Sequence, residues 1–338
     1  MIWLTWRQLR AQAAVVLGAA AAFALVLAVT GPGLADLRKT SGSSFLELVA
    51  LERADRSLYF TGVVVLILLP AVIGAFWGAP LIARELETGT HRLAWSQGVT
   101  RNRWLLVKIG LTGLAAIAAT GLLSLAVTWW SDPVDSAINS GSNGFGAARL
   151  TPVMFDARGV VPLGYAAFAF AAGVTAGAVI RRTVPAMAVT LVVFAAVQLA
   201  VPQWVRPHLI PPTTATIAIT ADNMHGLQRT GGPNGPIRVM VDSTEPGSWL
   251  LSSYTVDSAG QRVLDLPTWV SDCMVPPGKS ASGTSQQACF DRLAQAGYQQ
   301  QLTYQPASRF WALQWLETAV YLALALALSG FTFWWLRR

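Results

Sequence analysis

Charge is what this sequence has least of. Only 12% of its 338 residues are Asp, Glu, Lys or Arg, against 53% that are hydrophobic. Together with a mean hydropathy of +0.46, this scarcity excludes an ordinary soluble domain and implies several membrane spans. Histidine and cysteine are nearly as rare. His91, His208 and His225 stand apart from one another, and no H-E-x-x-H or Cys/His metal spacing occurs. There is no G-x-S-x-G elbow to present a serine nucleophile. Pro277-Gly278-Lys279-Ser280 looks like the tail of a phosphate-binding loop, but the motif's leading glycine is missing, with Cys273 in its place. No Ser/Lys or paired-aspartate constellation is visible in the apolar runs, and a proton- or ion-driven carrier needs buried ionisable groups near the midplane. The chain therefore has no visible energy source, resident metal or catalytic set.

What is present is apolar length. A hydrocarbon core of roughly 30 Å takes about 20 apolar residues to cross as a helix. Ala11–Thr30, Phe60–Ile82, Ile109–Trp130, Val160–Ile180, Val184–Val201 and Phe310–Leu336 qualify, giving six transmembrane helices. The first run lacks a small-residue cleavage site and is read as a span, not a signal peptide. Pro70 should kink the second helix, whereas Pro185 sits in the first turn of the fifth, where a missing N–H costs little. Arg7 and Arg10, the basic residues of Ala83–Lys108, Arg181-Arg182 and Arg337-Arg338 all crowd into short segments on one side of this layout. Basic residues on the other side are spread over much longer stretches. Basic density next to the membrane sets orientation, so both termini and Ala83–Lys108 are expected in the cytoplasm of a multi-pass plasma-membrane protein. The net charge of +7 is then topological and calls for no nucleic acid.

The remaining segments fit around these spans. Met1–Arg10 places Ile2, Trp3, Trp6 and Leu9 on one face and predicts an N-terminal interfacial helix with snorkelling arginines. Phe45–Ala54 suggests a short outer helix with a solvated charged face. Trp129-Trp130 reads as an aromatic belt, followed by a flexible outer loop over Ser131–Arg158. Arg181-Arg182-Thr183 alone joins the fourth and fifth spans, so they form a tight hairpin. Gly173-x-x-x-Gly177 in the fourth span suits close helix packing. Glu317, about two turns into the last helix by helical rise, is read at headgroup depth beside Trp311 and Trp315, the alternative being a place in a substrate path.

Residues 203–308 break the pattern. The segment is rich in Pro, Gly, Ser and Thr, with strand-like alternation over Thr214–Thr220, Ile237–Asp242 and Leu251–Val256 and a helical pattern over Gln286–Gln299. It reads as a small α+β exocytoplasmic domain between residues 1–202, which hold the first five helices, and residues 309–338, which hold the sixth. The chain's two cysteines, Cys273 and Cys289, both fall in it. In an oxidising compartment they would form a disulfide closing a loop of about 15 residues, worth about 3 kcal/mol on the chain-entropy model; the alternative is two buried thiols.

The stretch with most to explain is Ala83–Lys108, which concentrates Arg84, Glu85, Glu87, His91, Arg92, Arg101, Arg103 and Lys108 between two apolar runs. Gly89 and Gly98 punctuate it. Leu86, Thr90 and Leu93 recur at helical spacing with Trp95 beside them, which predicts a short helix across the membrane face. The run Ala83-Arg84-Glu85-Leu86-Glu87-Thr88-Gly89-Thr90, then Arg92-Leu93-Ala94-Trp95, Thr100-Arg101 and Lys108, resembles the loop between the second and third spans of ABC-2-type permeases. Those are the membrane subunits of ATP-binding-cassette exporters. Phe155–Pro162 and Tyr304–Trp315 resemble actinobacterial members, whereas the large cysteine-bearing outer domain departs from better-known members with short outer helices.

The resemblance implies a permease subunit that receives work from a separate ATPase, which would carry the ATP and Mg, and that pairs with a second permease copy in lipid. Glu85, Glu87, Gly89, Thr90, Arg92, Leu93, Trp95 and Arg101 would form the coupling contact in loop 83–108. Glu85 would either pin the loop to the bundle by an ion pair or touch the ATPase directly. Thr90 would cap a helix starting there. The arginines would meet acidic groups on the partner or phospholipid headgroups. An uncharged lining implies hydrophobic or amphiphilic cargo moved outward. Two other classes compete: a membrane-embedded regulator or scaffold coupled to an ATPase without transport, and an intramembrane enzyme with unrecognised catalytic residues.

Overall fold

A computed structural model describes residues 2–89, 100–141, 147–229, 237–241, 245–270 and 286–338. They form two compact units, Met1–Ile210 with Phe310–Arg338, and Pro211–Arg309. In the first unit the long apolar runs become helices, the one open structure that satisfies every backbone group within a single segment in hydrocarbon. Among the described residues six are long and apolar enough to cross a membrane: Ala13–Ser41, Arg53–Thr88, Asn102–Asn139, Val161–Ile180, Thr183–Leu209 and Ala307–Arg337.

Helix α1 is Ile2–Ser41, 40 residues without a break. The expected interfacial helix is therefore not a separate element: residues 2–10 continue without a break into the helix of the first span. At 1.5 Å per residue the helix is about 60 Å long, roughly twice the hydrocarbon thickness. It also runs through Pro32, past the expected stop at Thr30. Packing outweighs the proline there: the Trp130 indole N–H donates to Thr30 Oγ1 at 2.8 Å, and Trp129 lies directly against Gly31. Helix α2, Phe45–Leu51, buries Phe45, Leu46 and Val49 and leaves Glu47 exposed.

The second span is α3, Arg53–Ile73, a π-helical turn over Gly74–Gly78 and α4, Ala79–Thr88. Pro70 supplies no N–H to the turn before it, and the wide turn follows at once. Helix α5, Arg101–Asn139, continues beyond Trp130, so the flexible loop expected from Ser131 is in its first part helix. Ser131, Val134, Asp135 and Ala137 are buried there, because Asp135 has partners described below. Helix α6 is Val161–Ile180 and α7 is Thr183–Ala200. Between them Arg181 takes a left-handed conformation, φ 58°, which closes the expected hairpin.

Helix α6 is the centre of the bundle. It is apolar on every side, so no face is better suited to lipid than another, and such helices go inside. Of its most apolar window 78% is buried, against 11% for α1. The expected close approach at Gly173 and Gly177 is present, and the surface it meets is the wide turn. A Cβ on Gly173 would overlap the Gly74 carbonyl and lie 2.8 Å from Ala79 N. Reciprocally, a Cβ on Gly74 would lie 2.6 Å from Ala169 O, and one on Gly78 2.6 Å from Phe170 O. Two GxxxG pairs thus face each other across a backbone-to-backbone contact.

The second unit has a three-stranded antiparallel sheet in the order β1-β5-β4 and a hairpin of β2 and β3. The strands are β1 Thr213–Ala218, β2 Met224–Arg229, β3 Ile237–Val241, β4 Trp249–Val256 and β5 Gln299–Gln305. Strands β2 and β5 carry weak apolar alternation and were not expected from the sequence. Helix α8, Gln286–Gln295, is shorter than its pattern implied, because Gly297 at φ 75° turns the chain into β5. Cys289 and Leu293 join Val239, Val241, Leu266 and Val270 in this unit's core. Cys273 lies outside the described residues. The unit's two ends are tied together by Arg309, whose Nη1 donates to Pro211 O at 2.6 Å and Gln305 Oε1 at 2.9 Å. The chain then enters α9, Phe310–Arg337.

Candidate functional site

The Ala83–Lys108 loop is anchored at its base from several helices. Glu85, on α4, forms an ion pair with Lys108 on α5. The ammonium is almost fully buried and lies 5.0 Å from the centre of the Trp104 ring. Of the two roles open to Glu85, the structure therefore has the ion pair within the bundle. Two residues on, Glu87 accepts hydrogen bonds from Thr183 N at 3.1 Å and Thr183 Oγ1 at 2.8 Å. A carboxylate at the start of α7 satisfies an orphan helical amide and complements the positive end of the helix dipole. Glu87 thus caps the fourth–fifth hairpin.

Helix α4 ends at Gly89, whose φ of 72° is left-handed. A glycine there gives a C-cap without a Cβ penalty. Thr90, Arg92, Leu93 and Trp95 lie outside the described residues. Beyond them Thr100 caps α5 by accepting from Arg103 N at 3.4 Å. Arg101 is the first residue of α5; its side chain lies outside the described set. Arg337 at the end of α9 donates to Asn102 Oδ1 at 3.0 Å, adding the last helix to the same base.

The opposite end of α6 holds a buried polar network that the sequence analysis did not assemble. Its centre is the segment Pro152–Val160 between α5 and α6. Arg158 Nε donates to Asp135 Oδ2 at 2.8 Å, and that carboxylate also accepts from Tyr59 at 3.1 Å and Ser131 at 3.2 Å. Two residues earlier, Asp156 pairs with Arg206, just beyond α7. Arg206 also grips Glu317 of α9, Nε to Oε2 at 2.6 Å and Nη2 to Oε1 at 2.8 Å. The Tyr165 hydroxyl lies 2.8 Å from both Asp156 Oδ1 and Glu317 Oε1. Arg206 and Glu317 are fully buried within the bundle. Beside them Gln314 Oε1 accepts from Val160 N and Val161 N, each at 2.9 Å, capping the first turn of α6, while Nε2 donates to Phe155 O at 3.1 Å. Replacing Gln314 with Leu strands these groups and is expected to cost about 1–3 kcal/mol, read as a lower unfolding midpoint in detergent.

The bundle and its two anchored ends define a multi-pass membrane protein whose polar chemistry sits at the two termini of one central helix. Comparison with protein families then identifies the group. Residues 13–206 match the family described as ABC-2 membrane transporter related, and the chain belongs to it. No curated protein and no solved structure matches the chain. Membership makes the chain a membrane component of a transporter, not itself the catalytic subunit, and implies association with an ATP-binding-cassette subunit.

Proposed function

We propose that the chain is the permease subunit of an exporter, moving a hydrophobic or amphiphilic substrate outward on ATP hydrolysed, with Mg, by a separate subunit. The ATPase grips loop 83–108 from the cytoplasm, where both termini also lie. The Pro211–Arg309 unit is exocytoplasmic and holds a Cys273–Cys289 disulfide. A second permease copy and lipid complete the assembly.

The observation that carries this reading is the anchoring of the loop's base. Glu85 joins α4 to α5 and Glu87 joins α4 to α7, so force on residues 90–99 enters three helices at once. These two glutamates act within the chain as transmitters, and the ATPase contact falls to Thr90, Arg92, Leu93, Trp95 and Arg101. A ligand or partner moves a conformational equilibrium only through different affinities for its states; the ATPase must therefore hold the loop differently in the inward- and outward-facing forms.

The test is ATP-driven export of a lipophilic dye from vesicles holding the permease and its ATPase. Glu85→Ala and Gly89→Pro are each expected to cut the rate roughly tenfold or more, as for loss of a typical coupling energy, with membrane insertion unchanged; Glu85→Ala, which strands the buried Lys108 ammonium, should also lower the unfolding midpoint. Undiminished export would remove the loop from the mechanism. The compactness of the Pro211–Arg309 unit, which has a core of its own, favours a second reading as a sensor or scaffold. ATPase co-purification without any ATP-dependent dye movement would select that one.

A further inference from the structure

The network around Asp156 has a proton count that does not balance if every acid is ionised. Two guanidinium groups, Arg158 and Arg206, face three carboxyl groups, Asp135, Asp156 and Glu317, all buried. Five ionised groups would leave a net negative charge in a low-dielectric site, where an unpaired charge is expensive. The hydrogen bonds point the same way. Tyr165 has a single hydroxyl proton, yet its oxygen lies 2.8 Å from Asp156 Oδ1 and 2.8 Å from Glu317 Oε1. With both carboxyls ionised, one of these contacts would set two bare oxygen lone pairs against each other.

Arg206 Nη2 also donates to Asp156 Oδ1, but as a single contact, whereas Glu317 receives both Nε and Nη2 in a two-point grip, the geometry of a carboxylate. We propose that Asp156 is a proton-binding site, neutral in the resting protein and donating to Tyr165, which in turn donates to Glu317. The network then holds two ion pairs, Arg158–Asp135 and Arg206–Glu317, and one neutral acid.

The surroundings of Asp156 agree with this assignment. Burial pushes its pKa above the ordinary aspartate value, and Glu317 pushes it further; Arg206 and Tyr165 oppose this without cancelling it. The groups facing it are Arg206 beyond α7, Tyr165 on α6 and Glu317 on α9, with Tyr321 of α9 packed edge-on against the Tyr165 ring. A folded-state pKa raised above the unfolded one means that the folded chain binds more protons in the interval between them. The resulting stabilisation is complete below the ordinary aspartate range and is lost as pH rises through the raised folded value. Loss of the proton leaves a net negative charge where the start of α6, the end of α7 and α9 meet, so the site acts as a latch on that end of the bundle.

The test is infrared difference spectroscopy on the full chain in lipid, across a pH step from neutral to alkaline. A carboxylic-acid C=O band present at neutral pH and lost at alkaline pH is expected. It should shift when the protein is grown on aspartate labelled with 13C at the side-chain carboxyl, a measurement that needs no variant. Asp156→Asn keeps a neutral donor to Tyr165; it should remove the band, leave the neutral-pH unfolding midpoint unchanged and flatten the midpoint's fall toward alkaline pH. Absence of the band at neutral pH, a shift with labelled glutamate instead, or survival of the band in Asp156→Asn would overturn the assignment.

Discussion

Replacing Arg206 with methionine is expected to destabilise the bundle by about 3–5 kcal/mol, the cost of breaking a buried ion pair from one side. The guanidinium is fully buried and is the shared partner of Asp156 and Glu317, so its loss strands a carboxylate in a dry site. Chemical unfolding in detergent measures the change. The informative companion is the double variant Arg206→Met with Glu317→Leu. It removes both members of the two-point pair, and apolar replacement of a whole buried pair is often neutral or stabilising. Recovery of most of the lost stability is therefore expected. A single variant as stable as the parent would mean that the pair is not formed in the membrane.

The second large effect is expected at Gly173. A Cβ there meets backbone on both sides, the Gly74 carbonyl and Ala79 N, and backbone cannot swing away as a side-chain end can. Overpacking typically costs about 1–3 kcal/mol, and Gly173→Leu should reach or exceed the upper end. Gly33→Ala is the control: nothing lies within 4 Å of its added methyl, and a helical glycine replaced by alanine should gain about 0.5–1 kcal/mol. Unfolding midpoints of the two variants should therefore move in opposite directions. A neutral Gly173→Leu would show that the central helix does not touch the wide turn.

The two glycine pairs illustrate which part of this protein is legible in its sequence. Gly173-x-x-x-Gly177 is a visible small-residue face, and the six spans announce themselves by apolar length. The facing pair, Gly74 and Gly78, sits just after Pro70, where a sequence reads only a kink. Glu85 and Lys108 lie at the edges of one loop, so their pairing was within reach as one of two alternatives. Glu317 and Arg206 are 111 residues apart, and each has an innocuous local explanation, a boundary carboxylate and a basic residue after a span. Asp156 and Arg158 follow a Gly/Ser/Asn-rich stretch and read as the end of a loop. Charge buried by tertiary pairing leaves no periodic trace, which is why the network escapes a reading built on period and composition. Strands β2 and β5 escape for the related reason that β5, Gln299–Gln305, is nearly all polar and is held by strand partners on both sides.

The π-helical turn at Gly74–Gly78 also fixes the rotational phase of everything after it. A regular helix advances about 100° per residue, and a π turn accommodates one residue more than the α-helical count would. Rewinding the same residues as regular α-helix would swing α4 through roughly that angle. Glu85 and Glu87 would then point away from Lys108 and Thr183, although neither residue nor its partner had been altered. The second span is in this sense an indexed shaft, and the alignment of its lower end is set in the middle of the bundle.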